Sequence, residues 1–446
     1  MIRQPVPSEK TPILVLVRPF QEFAAMETSG SILLLACTLI AIVWANSAWQ
    51  PFYAALWHTK ITIGAGDATL SRELHFWVND ALMAVFFFLV GLEIKRELLA
   101  GDLASPRRAA LPIAAALGGI LLPAAIYALI NPAGPDARGW AVPMATDIAF
   151  AMGVMALLGD RVPAGLKVFL TALAIVDDIA AILVIAVFYT SDLAWQSLGF
   201  VALCVAAAAG ANRLGVRHPL PYGLIGVALW INVLQSGIHT TVAGVLLAFA
   251  IPSRTVIEPD EFLRRNRAVL DHFETASRAR TNARWSSPAE QQAIEVLEEA
   301  CEKVQPALQR IEHALYPWVT LAIMPLFALT NAGVQLTGSL SAVFADPVTL
   351  GVFAGLLFGK PAGVTVAAYL AVRTGLAELP DRVSWLQIHG AGWLAGIGFT
   401  MSLFMAALAF PEGPQMNAAK QGILAASATA GAAGYLILRR VSSART

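Results

Sequence analysis

Asp177 and Asp178 stand side by side inside an apolar run, TALAIVDDIAAILVIA, over residues 171–186. The run extends from about Ala164 to Tyr189, roughly 25 residues, enough to cross a bilayer with some tilt. One carboxylate at the bilayer centre costs about 2.5–3.5 kcal/mol on insertion scales. Two adjacent ones also repel if both ionise. A chain that keeps such a pair uses it either to fasten one helix to another or to hold a cation or a proton. For an intramembrane ionisable residue the second reading is the default.

The remainder of the chain suits that setting. Apolar residues make up 57% and charged residues 13%, which marks an all-α polytopic membrane protein. The formal net charge of zero offers no basic field for nucleic acid. Cys37, Cys204 and Cys301 are too scattered for a disulfide framework or a soft-metal site, and nothing calls for a cofactor. The first twenty residues lack a long apolar core with a small-residue cleavage site, and read as a retained cytoplasmic arm.

About twelve spans are expected, centred on Ser31–Ala45, Phe76–Leu92, Ala109–Ile130, Trp140–Leu158, Ala164–Tyr189, Leu198–Ala211, Leu220–Leu234, Ile238–Ile251, Ala314–Thr330, Val348–Val372, Ile388–Phe410 and Gly422–Leu438. Arg and Lys collect at alternate connections, from Lys95, Arg96, Arg107 and Arg108 through Arg213 and Arg217 to Arg439 and Arg440. Only Lys60, Arg72, Arg138 and Lys420 fall on the other side, so both termini are placed in the cytoplasm. Residues 60–74 read as an extracytoplasmic β-hairpin. A two-stranded hairpin is barely stable alone, so a pairing partner is expected. The cytoplasmic insertion 253–312 is polar. Its second half places Ile294, Leu297, Cys301, Val304, Leu308 and Ile311 at helical spacing, which reads as one apolar face.

Two spans look interrupted. In the fourth, Pro143 precedes Met144, Ala145, Thr146 and Asp147. In the eleventh, Gly390, Gly392, Gly396 and Gly398 crowd together. Small residues can simply permit close packing, but broken backbone at membrane depth must line a cavity or be buried in protein. Each interrupted span is the middle of a triplet, one at about 109–189 and one at about 348–438. The triplets lie seven spans apart and therefore cross in opposite senses. An inverted repeat with interrupted middle segments points to a transport site in a single membrane domain over 1–446. Lys360 lies mid-span in the second triplet, where a buried ammonium needs a carboxylate or a half-helix C-terminus. Neighbouring helical residues point about 100° apart. One aspartate is therefore expected to pair with Lys360, while the other, with Asp147 and Thr146, faces the ion path. Such all-oxygen ligands suit a hard cation.

At these residues the sequence resembles the NhaA-type sodium/proton antiporters. The motifs are NDALMAVFFFLVGLEIKREL (79–98), PMATDIAFAMGVMALLG (143–159), LTALAIVDDIAAI (170–182), SGIHTTVAGVLLAF (236–249), PLFALTNAGV (325–334), GLLFGKPAGV (355–364) and GIGFTMSLF (396–404). This family is itself among the examples behind the inverted-repeat rule, so that agreement is not independent. The resemblance implies a bacterial inner-membrane protein of twelve helices, with two interrupted helices crossing at mid-membrane. It implies that Asp178, with Asp177, carries sodium or lithium and protons, and that Asp147 and Lys360 balance half-helix ends, Lys360 pairing with Asp177. Glu93, Glu97, Glu312 and His313 would form a cytoplasmic cluster that sets pH dependence, and the hairpin would be the homodimer contact. Tyr316 stands where some relatives carry a second His, and the 253–312 connection is longer than the usual linker. His239, a lone His near a helix start, reads as a hydrogen-bonded packing residue.

The expectation is an electrogenic, pH-activated antiporter that exports sodium against protons, with membrane lipid around it. A sodium-coupled solute transporter of the same fold and a non-transporting ion or pH sensor are the competing classes. Leu157–Asp160, LLGD, matches the GxGD motif of intramembrane aspartyl proteases only in part, lacking the first Gly, and Asp160 falls at a span end beside Arg161. No enzyme is expected.

Overall fold

The computed structural model describes residues 29–65, 68–190, 193–255, 257–278, 287–335 and 340–443. The N-terminal arm, the tip of the hairpin turn and residues 279–286 of the insertion lie outside that set. Lipid offers no partner to backbone N–H and C=O groups, so apolar spans must satisfy them as helices. Each of the twelve expected windows falls on helix. Among the described residues, eight helices are long and apolar enough to cross a membrane, or ten if two bent pairs are counted as single spans. Pro219–Ser236 and Thr241–Ala250 are apolar helices outside that group.

The first interrupted span is a 3-10 helix, Pro135–Met144, then extended backbone through Ala145, Thr146 and Asp147, then an α-helix, Ile148–Ala156. Pro143 sits at the end of the 3-10 segment. The second comprises Trp385–Ala395 and Phe399–Ala409, bent by 46° at Gly396–Gly398. The two breaks touch: Asp147 N donates to Ile397 O at 2.6 Å, and Ser402 Oγ donates to Val142 O at 2.8 Å. Gly390 and Gly392 lie in regular helix. They serve close packing instead, against Leu438 and Pro361 respectively.

The crossing is braced by the first helices of the two triplets, Pro106–Ile130 and Pro347–Arg373. Gly351, Gly355, Gly359 and Gly363 recur every fourth residue, which puts them on one helix face. They lie against Tyr127 and Asn131, Pro123 and Pro143, Pro123 again, and Gly118. At the last contact Gly118 and Gly363 face each other's carbonyl oxygens with no room for a side chain on either. Small residues at a fixed repeat let two helix backbones approach closely. The stripe breaks into a π-helical turn at Gly355–Gly359, immediately before Lys360.

Outside the repeats, strand β1 (Lys60–Ala65) pairs antiparallel with strand β2 (Ala68–Glu73), with Lys60 opposite Glu73. Ile61 and Ile63 stay exposed on the hairpin. His58, just before β1, bonds Glu73 at 2.9 Å, and this contact pushes the imidazole pKa up.

The insertion departs from its expected face. It forms two helices, Pro259–Arg278 and Pro288–Val304, packed on each other. The buried positions of the second are Glu290, Ala293 and Ala300, while Ile294 and Cys301 are exposed. Alanines let the partner helix approach closely, so the seam runs one residue away from the larger apolar side chains. The helix also ends at Gln305–Pro306, because proline cannot continue it. Leu308 and Ile311 belong to the next helix, which begins at Ala307, and pack with Leu92, Tyr222 and Leu247 instead.

Gly118→Leu is expected to lower stability by about 1–3 kcal/mol, the usual overpacking cost, read as an earlier thermal unfolding midpoint in detergent; an unchanged midpoint would remove the glycine contact from the fold's essentials.

Candidate functional site

Two interrupted helices present four half-helix ends inside the protein. The N-terminal ends carry unsatisfied N–H groups and partial positive charge, the C-terminal ends unsatisfied C=O groups and partial negative charge. Asp147 meets both N-terminal ends. One carboxylate oxygen accepts from Phe150 N at 3.0 Å, capping its own helix. The other accepts from Thr400 N at 3.0 Å and from the Thr400 hydroxyl, capping the second broken span.

The C-terminal ends are met by Lys360 and Thr146. Lys360 Nζ donates to Met144 O, where the 3-10 half ends, and lies 2.6 Å from Asp177 Oδ2. Both side chains of this ion pair are wholly buried. Thr146 Oγ1 lies 2.9 Å from Ala395 O and 2.6 Å from Asp177 Oδ2, two acceptors that share its single hydroxyl proton. Thr146 therefore lies with the Lys360-bound aspartate rather than with Asp178, as the sequence pattern had suggested.

The two aspartates differ sharply. Asp177 has Oδ2 bound twice, while its Oδ1 is buried with no partner. Asp178 is 5% exposed. Among the described residues it makes no side-chain hydrogen bond, yet it lies within electrostatic range of Asp177, Glu93, Asp147 and Lys360. Asp147, Asp177 and Asp178 do not converge as a joint ligand cage in this conformation: the described residues hold no group of three or more His, Cys, Asp or Glu placed to grip a metal ion. Asp147 is turned to helix capping. The oxygens without a side-chain hydrogen bond among the described residues are those of Asp178 and Oδ1 of Asp177.

Glu93, Glu97 and Glu312 gather around Arg96. Arg96 bonds Glu312 and lies 3.3 Å from Glu97 Oε1. Glu93 lies within electrostatic reach of all three. Glu312 Oε2 is buried without a partner. His313 is exposed and adjacent to this group. His239 is held by Thr241 Oγ1 at 3.0 Å and packs edge-on to Phe404, with Asp80 3.7 Å away.

Sequence reasoning missed Thr400 and the bridging role of Arg96. Thr400 is the second residue after the Gly396–Gly398 break, and a hydroxyl in the first turn of a half-helix inside the membrane is a signal that could have been read. Nothing local to Arg96 names Glu312 as its partner, since the two lie over two hundred residues apart in sequence.

Lys360→Ala is expected to destabilise the protein by about 3–5 kcal/mol, since it leaves a buried carboxylate without its counter-charge. The check is thermal unfolding in detergent, with Lys360→Arg retaining part of the loss.

A profile of the family described as Na+/H+ antiporter 1 matches residues 21–438. A protein of Oleidesulfovibrio alaskensis named Na(+)/H(+) antiporter NhaA is 53% identical over 430 residues, which are 96% of this chain and 95% of the relative. A protein of the same name from Koribacter versatilis is 49% identical over 98% of this chain and 95% of its own length. Na(+)/H(+) antiporter NhaA 2 of Syntrophotalea carbinolica is 46% identical over 97% and 98%.

Proposed function

The chain belongs to the Na+/H+ antiporter 1 family, and on that premise we propose that it is an electrogenic, alkali-activated antiporter that exports sodium or lithium from the cytoplasm in exchange for protons. The relatives give no support to a sodium-coupled solute transporter or a passive sensor. The reading further takes the protein as a secondary transporter of the bacterial inner membrane, with both termini cytoplasmic and protomers paired through residues 60–74.

The observation that carries the mechanism is a buried carboxylate, Asp178, with no side-chain hydrogen bond among the described residues, one residue from a carboxylate held by Lys360 and Thr146. In a low-dielectric interior an ionised carboxylate needs a counter-charge. Lys360 supplies one to Asp177. For Asp178 either a proton or a monovalent cation will serve. Sodium adds a second oxygen from Asp177 Oδ1, which is buried and unpartnered. Oxygen ligands of this kind suit a hard cation. Sodium and protons thus compete for the same atoms, and that competition is the exchange.

A cycle in which both Asp177 and Asp178 take up protons after sodium leaves returns two protons for one sodium. Net charge then moves, and the membrane potential adds about 2.3 kcal/mol per charge per 100 mV. The group around Arg96, with Glu93, Glu97, Glu312 and His313, would govern the response to cytoplasmic pH, because loss of the charge on Glu312 would release Arg96 from it. Asp147 balances the two half-helix N-termini throughout.

Asp178→Asn should abolish sodium-dependent collapse of a pH gradient in inside-out vesicles while the protein remains monodisperse; wild-type exchange by this variant would reject the site. Transient current on a supported membrane should accompany exchange, and raising sodium should move the pH profile towards acid. Zero current would mean electroneutral coupling. Deleting residues 61–73 should leave exchange largely intact and weaken the dimer, seen by sizing at falling protein concentration.

A further inference from the structure

Phe404 lies on the helix Phe399–Ala409, the second half of the second broken span. In the orientation proposed above, with the Arg- and Lys-rich connections cytoplasmic, this half runs outward. Phe404 follows Thr400 by one helical turn, about 6 Å further out at 1.5 Å per residue. Its ring is gripped by three residues that belong to neither triplet. Between ring centroids, Phe87 is 5.4 Å away, Phe327 6.3 Å and the imidazole of His239 5.4 Å. The rings meet tilted or edge-on, as favourable aromatic pairs do. Phe404, Phe87 and Phe327 are each at most 2% exposed, so the collar is closed.

The surroundings change across this collar. On its inner side Thr400 holds Asp147. On its outer side His239 Nε2 lies 3.7 Å from Asp80, and both side chains reach solvent, at 17% and 20% exposure. Thr240 Oγ1 donates to the same carboxylate at 2.8 Å. Asn79 and Asn331 exchange two amide hydrogen bonds, at 3.1 and 2.7 Å, and so fasten together the two spans that carry Phe87 and Phe327. The half-helix of Phe404 is tied elsewhere. Phe399 N donates to Ser427 Oγ, Thr400 N to Asp147, and Ser402 Oγ to Val142 O, all residues of the two triplets. The ring therefore joins the repeats to the collar through apolar contact.

We propose that Phe404 is the outer seal of the ion site: seated among Phe87, Phe327 and His239, it keeps water and ions from passing between the helix crossing and the extracytoplasmic side. A hydrophobic constriction blocks ions by excluding water and needs no charged group to do so. Release to the outside then requires the ring to leave its collar together with its half-helix. Withdrawing the ring breaks none of the hydrogen bonds that hold the half-helix, because those run to the repeats. A side chain too small to fill the collar leaves a gap beside His239 and Asp80, whose polar atoms offer water its partners. The site then faces outward permanently, and each inward opening joins the two solutions.

The inference rests on the exchange reading above, and the experiment separates the two. Wild type, Phe404→Ala and Phe188→Ala are reconstituted in proteoliposomes at equal amounts of monodisperse protein. Phe188 is 62% exposed and lies outside the collar, so its variant controls for the loss of a ring. A pH gradient is imposed with potassium and valinomycin clamping the potential, and its decay is followed first without sodium or lithium and then with sodium added. Wild type and Phe188→Ala should hold the gradient until sodium arrives. Phe404→Ala should discharge it several-fold faster than wild type with no sodium present. Phe404→Val takes its place, under the same criterion, if the Ala variant is not recovered folded. A sodium-free decay at the wild-type rate overturns the seal even where exchange is slowed, because loosened packing alone lowers the rate of exchange without opening a leak. An equal leak from Phe188→Ala overturns it as well. A wild type that ignores sodium overturns the exchange reading, while the sodium-free comparison still decides the seal.

Discussion

Broken helices inside an apolar body leave backbone dipole ends that water cannot reach, and the arrangement of the core answers that constraint. Two N-terminal ends converge on the Asp147 carboxylate, one through Phe150 and one through Thr400. The C-terminal ends fall to Lys360 at Met144 O and Thr146 at Ala395 O. An unsatisfied buried polar group costs several kcal/mol in the absence of water. The crossing is tolerable only because side chains from both triplets close it. The break is thus held open as a polar centre in an otherwise apolar protein.

Solving the dipole problem creates the charge problem that chemistry then uses. A lysine sent to cap a carbonyl is itself a buried cation, and Asp177 balances it at 2.6 Å. Such a pair gains little over an apolar replacement but is costly to break one-sidedly. The next residue, Asp178, is left over: a carboxylate in the same low-dielectric space with no fixed partner among the described side chains. The remaining Asp177 oxygen is likewise buried and without a hydrogen-bond partner among the described residues.

Packing holds these groups at their separations. The glycines at 351, 355, 359 and 363 let Pro347–Arg373 press its backbone onto Pro106–Ile130, so Lys360 projects from a helix with little lateral play. Helices Trp195–Arg213, Pro219–Ser236 and Thr241–Ala250 form a second apolar cluster beside this core. Arg96, on the helix Met83–Ala100, ties Glu312 of the helix Ala307–Trp318 to Glu97. Glu93, on the same helix as Arg96, lies within electrostatic range of this group and of Asp178, so the cluster and the aspartates are linked by charge.

Much of this was written in the sequence because it concerns single residues and periods along the chain. An apolar run around Asp177 and Asp178, prolines and glycines in two spans, and charge alternation at the connections are local signals. They identify a membrane protein with interrupted helices and name its buried acids. Tertiary structure alone decided which atoms meet. Adjacent aspartates in a helix are equivalent by composition; the resemblance already gave Asp177 to Lys360, and the crossing adds Thr146 to that pair and leaves Asp178 without a side-chain hydrogen bond among the described residues. Thr400 and Arg96 carry no local mark of Asp147 and Glu312, the partners that lie far away in sequence. The insertion makes the same point: its helical period was legible, but the choice of Ala293 and Ala300 over Ile294 and Cys301 for the seam belongs to the helix packed against it. A sequence states which side chains are costly to bury, and the fold determines which neighbour offsets each cost.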